Sequence, residues 1–155
     1  MPRGDATVSL FLLFRARTRL CAVPVERLVE TMRPLPATPF PGAPAFVLGL
    51  ARIRGAAVPV IDLGALLGSA DPSQAARFLS LRLGGNRVAV AVEAVLGLRQ
   101  FEPDELSELP PLLATANQEA VAAIGTLDAE LLLFLETTRI VPDGLWALLD
   151  AGGPP

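Results

Sequence analysis

The chain of 155 residues has no histidine, no lysine and no tyrosine, and only one cysteine and one tryptophan. Each absence removes a chemistry. Without histidine there is no histidine-based triad and no histidine metal site. Without lysine there is no ordinary phosphate-binding P-loop and no Schiff base. Cys21 alone can make neither an internal disulfide nor a cysteine cluster for zinc, and it reads as a small buried apolar residue. Charged residues are sparse at 19%, and the net charge of −3 is too mild for a nucleic-acid surface. No run approaches the ~20 apolar residues of a membrane span. The start, "MPRGDATVSLFLLFRAR", has too short an apolar run and no small-residue cleavage site, so it does not read as a signal peptide. A soluble, cytoplasmic protein with no direct membrane insertion is expected.

What is abundant is apolar residue, at 52% of the chain. It comes in short runs: Val8–Phe14, Leu20–Val23, Phe46–Ile53, Val58–Ile61, Phe78–Leu83, Val88–Val92 and Leu131–Leu135. Runs of this length separated by turn residues predict a mainly β protein, a barrel or a sandwich. Gly84-Gly85-Asn86 predicts a tight hairpin. After it, Val88, Val90 and Val92 share one face, with Ala89, Ala91 and Glu93 on the other.

One segment changes period. Val25, Leu28, Val29 and Met32 fall at i, i+3, i+4 and i+7, with Pro24 before them and Pro34 after. This predicts a short amphipathic helix near 25–33. The proline-rich stretch from Arg33 to Pro44 predicts an ordered, extended connector anchored by Leu35 and Phe40; a recognition motif for an SH3-type partner is the alternative. Asp62 precedes "LGALLG" and predicts an N-cap. The acidic stretch from Glu102 to Gln118 predicts a surface loop with a helical turn, and the tail after Asp150 is expected to be frayed. No internal repeat is evident.

No metal or nucleophile constellation emerges. Glu26, Glu30, Asp62 and Glu93 could in principle supply a carboxylate pair, but no partner motif accompanies them. Arg52 and Arg54 are more informative. Two apart on a strand, they leave the same face beside the turn at Gly55, together with Leu48 and Leu50. The opposite face, Val47, Gly49, Ala51 and Ile53, is small and apolar enough for core. Aliphatic area mixed with planar guanidinium donors suits a protein-binding surface. The alternative is a solvated strand face with an internal ion pair.

The stretch "PGAPAFVLGLARIRGAAVPVIDLGALLG" (Pro41–Gly68) resembles the core motif of CheW-like domains, approximately PGxPxFVxGVxNLRGxVVPVIDLRxLLG. The resemblance extends through "LFLLF" and "CAVPVERLVETMRP" upstream, and through "FLSLRLGGNRVAVAVEAVLGLRQF" and "AIGTLDAELLLFLETTRIV" downstream. It implies one interwoven domain over residues 8–141, built of two small SH3-like β-barrels packed together, with an N-terminal tail over 1–7 and a short helix and tail over 142–155. It implies no enzyme, no cofactor and no metal. It implies a chemosensory adaptor that couples the cytoplasmic domain of methyl-accepting chemoreceptors to the regulatory domain of a CheA-type histidine kinase, within membrane-associated or cytoplasmic arrays. A divergent adaptor of a non-flagellar pathway, without kinase binding or with a different partner, is the alternative. Arg54 falls on the arginine of NLRG and Glu30 on a glutamate of the family's first helix. The two can pair, and with Leu50 and Arg52 they are the expected receptor-binding residues. The hairpin Gly84, Gly85, Asn86, Arg87 and Val88 is the expected kinase contact. Departures from the family pattern are Arg52 for asparagine, Arg17 and Cys21 for the glycine and tyrosine of the first hairpin, Glu93 for aspartate, and "LETTRIV" at the close.

Overall fold

A computed structural model describes residues 9–108, 120–141 and 144–146. Most of the acidic stretch after Glu108, the N-terminal tail and the end of the chain lie outside the described residues. Among the described residues, eleven strands form two sheets. The first sheet has six strands: β1 (Ser9–Ala16), β2 (Arg19–Pro24), β8 (Ala94–Phe101), β9 (Ser107–Glu108), β10 (Val121–Leu127) and β11 (Glu130–Leu135), in the order β8-β1-β2-β11-β10-β9. The second has five: β3 (Leu28–Met32), β4 (Val47–Ile53), β5 (Ala56–Asp62), β6 (Arg77–Leu83) and β7 (Asn86–Val92), in the order β3-β6-β7-β5-β4. A single helical turn, α1 (Leu63–Leu66), follows β5. The first sheet thus takes strands from both ends of the chain and the second takes the middle.

The density of apolar residues follows from this arrangement. The central strands of each sheet are buried on both faces. In β1, Leu12 and Phe14 enter a large core shared by both sheets, while Phe11 and Leu13 enter a smaller core inside the first barrel. In β7, Val88, Val90 and Val92 enter the shared core, and Ala89 and Ala91 line a third cluster inside the second barrel. A strand buried on two sides reads as a continuous run rather than an alternation. The first barrel is packed by Phe11, Phe101 and Phe134, whose rings meet edge to face at 5.0–5.8 Å. Cys21 is fully buried, and burial pushes its thiol pKa up to about 12.

The two sheets share one plan. In each, two antiparallel pairings are followed by one parallel and one antiparallel pairing: β8-β1-β2 then β11-β10, and β3-β6-β7 then β5-β4. The turns repeat as well. The β1–β2 and β6–β7 turns carry positive φ at the first central residue, Arg17 (57°) and Gly84 (63°). The β4–β5 and β10–β11 turns carry it at both, Arg54 (53°) with Gly55 (82°), and Asp128 (52°) with Ala129 (67°).

The helix expected near 25–33 is not formed. Val25–Arg27 make one 3-10 turn and Leu28–Met32 form β3, paired with β6. Nothing from Val25 to Met32 is fully buried, and Leu28 packs against the shared core while Met32 packs against the second-barrel cluster, so the stripe does not face one core. A two-turn helix with no side-chain cap is poorly nucleated, whereas the edge of β6 pairs with Leu28, Glu30, Thr31 and Met32, and the β-branched Val29 and Thr31 favour a strand. The proline-rich connector is ordered, as expected: Thr38 and Leu50 exchange two backbone hydrogen bonds of 2.8 Å. Gly49 permits this approach, because its φ is +139° and a Cβ there would lie 2.1 Å from the Thr38 carbonyl oxygen. Phe40 is half-buried, but Leu35 is exposed and does not anchor the segment. Among the described residues no helix is long and apolar enough to cross a membrane.

Candidate functional site: the arginine-marked hairpins of the second barrel

Strand β4 alternates as its sequence predicts. Gly49, Ala51 and Ile53 are buried, Leu48 and Arg52 are exposed, and Leu50 is half-buried. Arg52 donates to the carbonyl of Gly55 at 3.2 Å, folding back over its own turn. Arg54 occupies the turn itself. Its guanidinium donates through Nε (3.1 Å) and Nη2 (2.7 Å) to the two carboxylate oxygens of Glu30. The expected Glu30–Arg54 pair is therefore formed, and it has an architectural role. Glu30 sits on β3 and Arg54 at the end of β4, the two edge strands of the five-stranded sheet, so the pair closes the seam of the second barrel. The hydrogen bond from Arg54 holds the Glu30 carboxyl below its usual range, aided by the positive charges of Arg54 and Arg87; in return Glu30 raises the Arg54 pKa.

Three shallow grooves flank this hairpin. One of about 400 Å³ runs between the proline-rich connector and Leu50, Arg52 and Ala57. One of about 300 Å³ follows the seam between Glu30, Met32, Leu35 and Arg54. The third, about 380 Å³, is lined by Ile53, Arg54 and Val58 on one side and Gly85, Asn86 and Arg87 on the other. The two groups of residues that the sequence assigned to different partners thus border one depression. Val88 does not face it: its side chain is fully buried in the shared core, which removes it from the surface set.

The most buried charge cluster was not legible in the sequence. Arg17, in the β1–β2 turn of the first sheet, donates to Asp62 Oδ1 (2.7 Å) and Oδ2 (2.8 Å), to Glu93 Oε2 (3.1 Å) and to the carbonyl of Asp71 (2.9 Å). Glu93 also accepts from the backbone N–H groups of Arg17 and Gln74. The Arg17 and Asp62 side chains are only 8% exposed. Hydrogen bonding to Asp62 is the main reason the Arg17 pKa is raised. Asp62 also caps α1 through Ala65 N–H, as expected. The cluster joins the two sheets. It leaves these carboxylates engaged by arginine, and among the described residues no group of acidic or cysteine side chains could hold a metal ion. A separate ion pair, Arg15 with Glu130, links β1 to the start of β11. Elsewhere the surface exposes an apolar strip of Leu10, Leu96 and Leu98 on β1 and the edge strand β8.

A family profile described as the CheW-like domain matches residues 10–144. The chain belongs to the CheW-like domain family. It is 26% identical over 109 residues to the chemotaxis protein CheW of Rhizobium meliloti (strain 1021), covering 69% of this chain and 70% of that protein. It is 32% identical over 127 residues to protein FrzA of Myxococcus xanthus, covering 72% and 78%. The crystal structure of scaffolding protein TtCheW from Thermoanaerobacter tengcongensis superposes with a TM-score of 0.72 at 19% identity, covering 86% of this chain and 97% of that one, and supports the fold. As a CheW-like protein, the chain is a non-enzymatic scaffold adaptor of the chemotaxis class. Its β-rich architecture of two packed sheets agrees with two SH3-like subdomains.

Proposed function

We propose that this CheW-like chain is a cytoplasmic adaptor that couples the cytoplasmic domain of chemoreceptors to the regulatory domain of a CheA-type histidine kinase, recruited to receptor arrays. Its receptor-facing surface is the β4–β5 hairpin with Glu30, Leu50, Arg52 and Arg54; the kinase takes another face. The observation that carries the reading is the Glu30–Arg54 pair. Both oxygens of Glu30 are engaged, yet the Arg54 side chain stays 70% exposed. Arg54 is thereby held in one orientation with donor capacity facing outward, which suits recognition of another protein's polar groups. Leu50 and the neighbouring grooves supply apolar area around it.

The test is a titration of the purified protein against a receptor cytoplasmic fragment and, separately, the kinase regulatory domain. Arg54→Ala should fold as the wild type and bind the receptor fragment more weakly. An Arg54→Ala protein that is folded and binds the receptor fragment as tightly as wild type would refute the assignment. One observation favours a second reading, an adaptor of a non-flagellar pathway that has lost the kinase or docks a different partner. Arg52 replaces the family's asparagine and adds a second cation beside Arg54. Binding to receptor alone would support that reading.

A further inference from the structure

The mouth of the second barrel is unusually basic for a chain of net charge −3. Along β6 and β7, Phe78 faces Ala91, Ser80 faces Ala89 and Arg82 faces Arg87 in direct register. Phe78, Ala89 and Ala91 belong to the barrel's interior cluster, so alternation places Arg82 and Arg87 on the same face, at its open end. Like charges directly opposite on neighbouring strands are destabilising. Neither arginine forms an ion pair among the described residues. Arg87 and Arg54 border one depression from the two hairpins, with Arg82 paired across from Arg87, and Glu30, the carboxylate on which both Arg54 and Arg87 act, already has both oxygens bonded to Arg54. Ile53 and Val58, interior residues of the barrel, form its apolar floor. Among the described residues, no carboxylate lines this depression.

We propose that the β6–β7 hairpin belongs to the receptor-facing surface, and that Arg54, Arg82 and Arg87 form a socket for an acidic side chain of the receptor. This rests on the receptor-facing reading of Arg54. A carboxylate from outside would relieve the repulsion between Arg82 and Arg87 and meet planar donors in a bidentate arrangement. The Gly84–Gly85 tip leaves that approach open, since a Cβ at either glycine would meet no atom within 4 Å. Arg87 is then a specificity-determining residue, and the kinase contact lies away from this hairpin.

The experiment measures affinity for a receptor cytoplasmic fragment and for the kinase regulatory domain, at low and high salt, with wild type, Arg87→Ala, Arg87→Lys and Arg82→Ala. Circular dichroism and thermal melting check that each variant is folded. Arg87→Ala should weaken receptor binding about tenfold and flatten its salt dependence. Arg87→Lys should recover part of the loss, because charge is restored without the planar fork. Affinity for the kinase domain should not move. A folded Arg87→Ala protein that binds the receptor as wild type does, or that loses the kinase domain instead, overturns the proposal and leaves the adaptor reading standing. Wild type that binds neither partner overturns the adaptor reading and the socket with it.

Discussion

The Arg17 cluster makes a prediction whose sign changes with genetic background. Arg17 lies across α1, and a Cβ built at Gly64 would sit 2.5 Å from Arg17 Nη1 and 2.6 Å from its Cγ. Removing the arginine leaves Asp62 and Glu93 without their cation at a site where side chains are 8% and 16% exposed. Breaking a buried pair in this way costs about 3–5 kcal/mol. Residual exposure at the barrel rim places Arg17→Ala near ~3 kcal/mol. Arg17 also holds φ at 57°, a conformation that costs a residue with a Cβ about 1 kcal/mol. Arg17→Gly should therefore be milder, near ~2 kcal/mol. Gly64→Ala in wild type displaces the arginine and should destabilise by about 1–2 kcal/mol. In the Arg17→Ala background the three atoms nearest to that Cβ are gone and the change adds helix propensity, so it should stabilise by about 0.5–1 kcal/mol. The coupling between the two positions is then ~1.5–3 kcal/mol, in the upper part of the range for residues in contact. Urea denaturation followed by circular dichroism reads all five proteins. With a slope of about 2 kcal/mol per molar, Arg17→Ala should lower the midpoint by ~1.5 M at unchanged slope. If Gly64→Ala has the same sign and size in both backgrounds, the contact does not exist and the reasoning fails.

Three further outcomes are expected. The hydroxyl of Ser80 is fully buried without a hydrogen-bond partner, so Ser80→Ala should be neutral or stabilise by up to ~1 kcal/mol in the same urea assay; a clear loss would mean the hydroxyl is satisfied. Ala129 is exposed at φ 67°, so Ala129→Gly should raise stability by a few tenths to ~1 kcal/mol, in contrast with most glycine substitutions. Cys21 should resist a thiol reagent near neutral pH in the native state and react once the chain is unfolded in guanidinium. Its thiol ionises near 9.0 in the unfolded chain but at about 12 when folded, so its contribution is intact below 9.0 and declines as pH rises toward 12. Equilibrium unfolding across that window should be flatter for Cys21→Ala than for wild type.

The apolar runs of the sequence became strands because turn residues bracket each one, and the two-sided burial of β1 and β7 explains why those runs are continuous. The Gly84–Gly85 hairpin and the Asp62 cap were legible for the same local reason. Strands β8 and β10 are absent from the apolar runs because glycine at 97 and 125 and polar residues at Arg99, Gln100 and Thr126 dilute their pattern. The 25–33 segment was misread because helical spacing of four apolar residues says nothing about whether a core lies beneath them. The Glu30–Arg54 pair was accessible only through family resemblance. The Arg17 cluster had no such signal, since its partners stand 45 and 76 positions away. The duplicated plan of the sheets was hidden for a different reason. The whole second sheet is inserted between β2 and β8 and the corresponding strands come in a permuted order, so no fixed period exists to detect.

That insertion sets an order of assembly during synthesis. The middle barrel is encoded by an uninterrupted segment, from Leu28 to Val92, and every strand it needs has been made by the time that segment is complete. Strands β1 and β2 leave the ribosome first but must wait for β8 and β11, holding Phe11, Leu13 and Leu20 without their final neighbours throughout. The newborn chain therefore carries an unfinished half at its front, closed only when its last strands arrive. Truncation before Glu130 strands that half, however well the middle has folded.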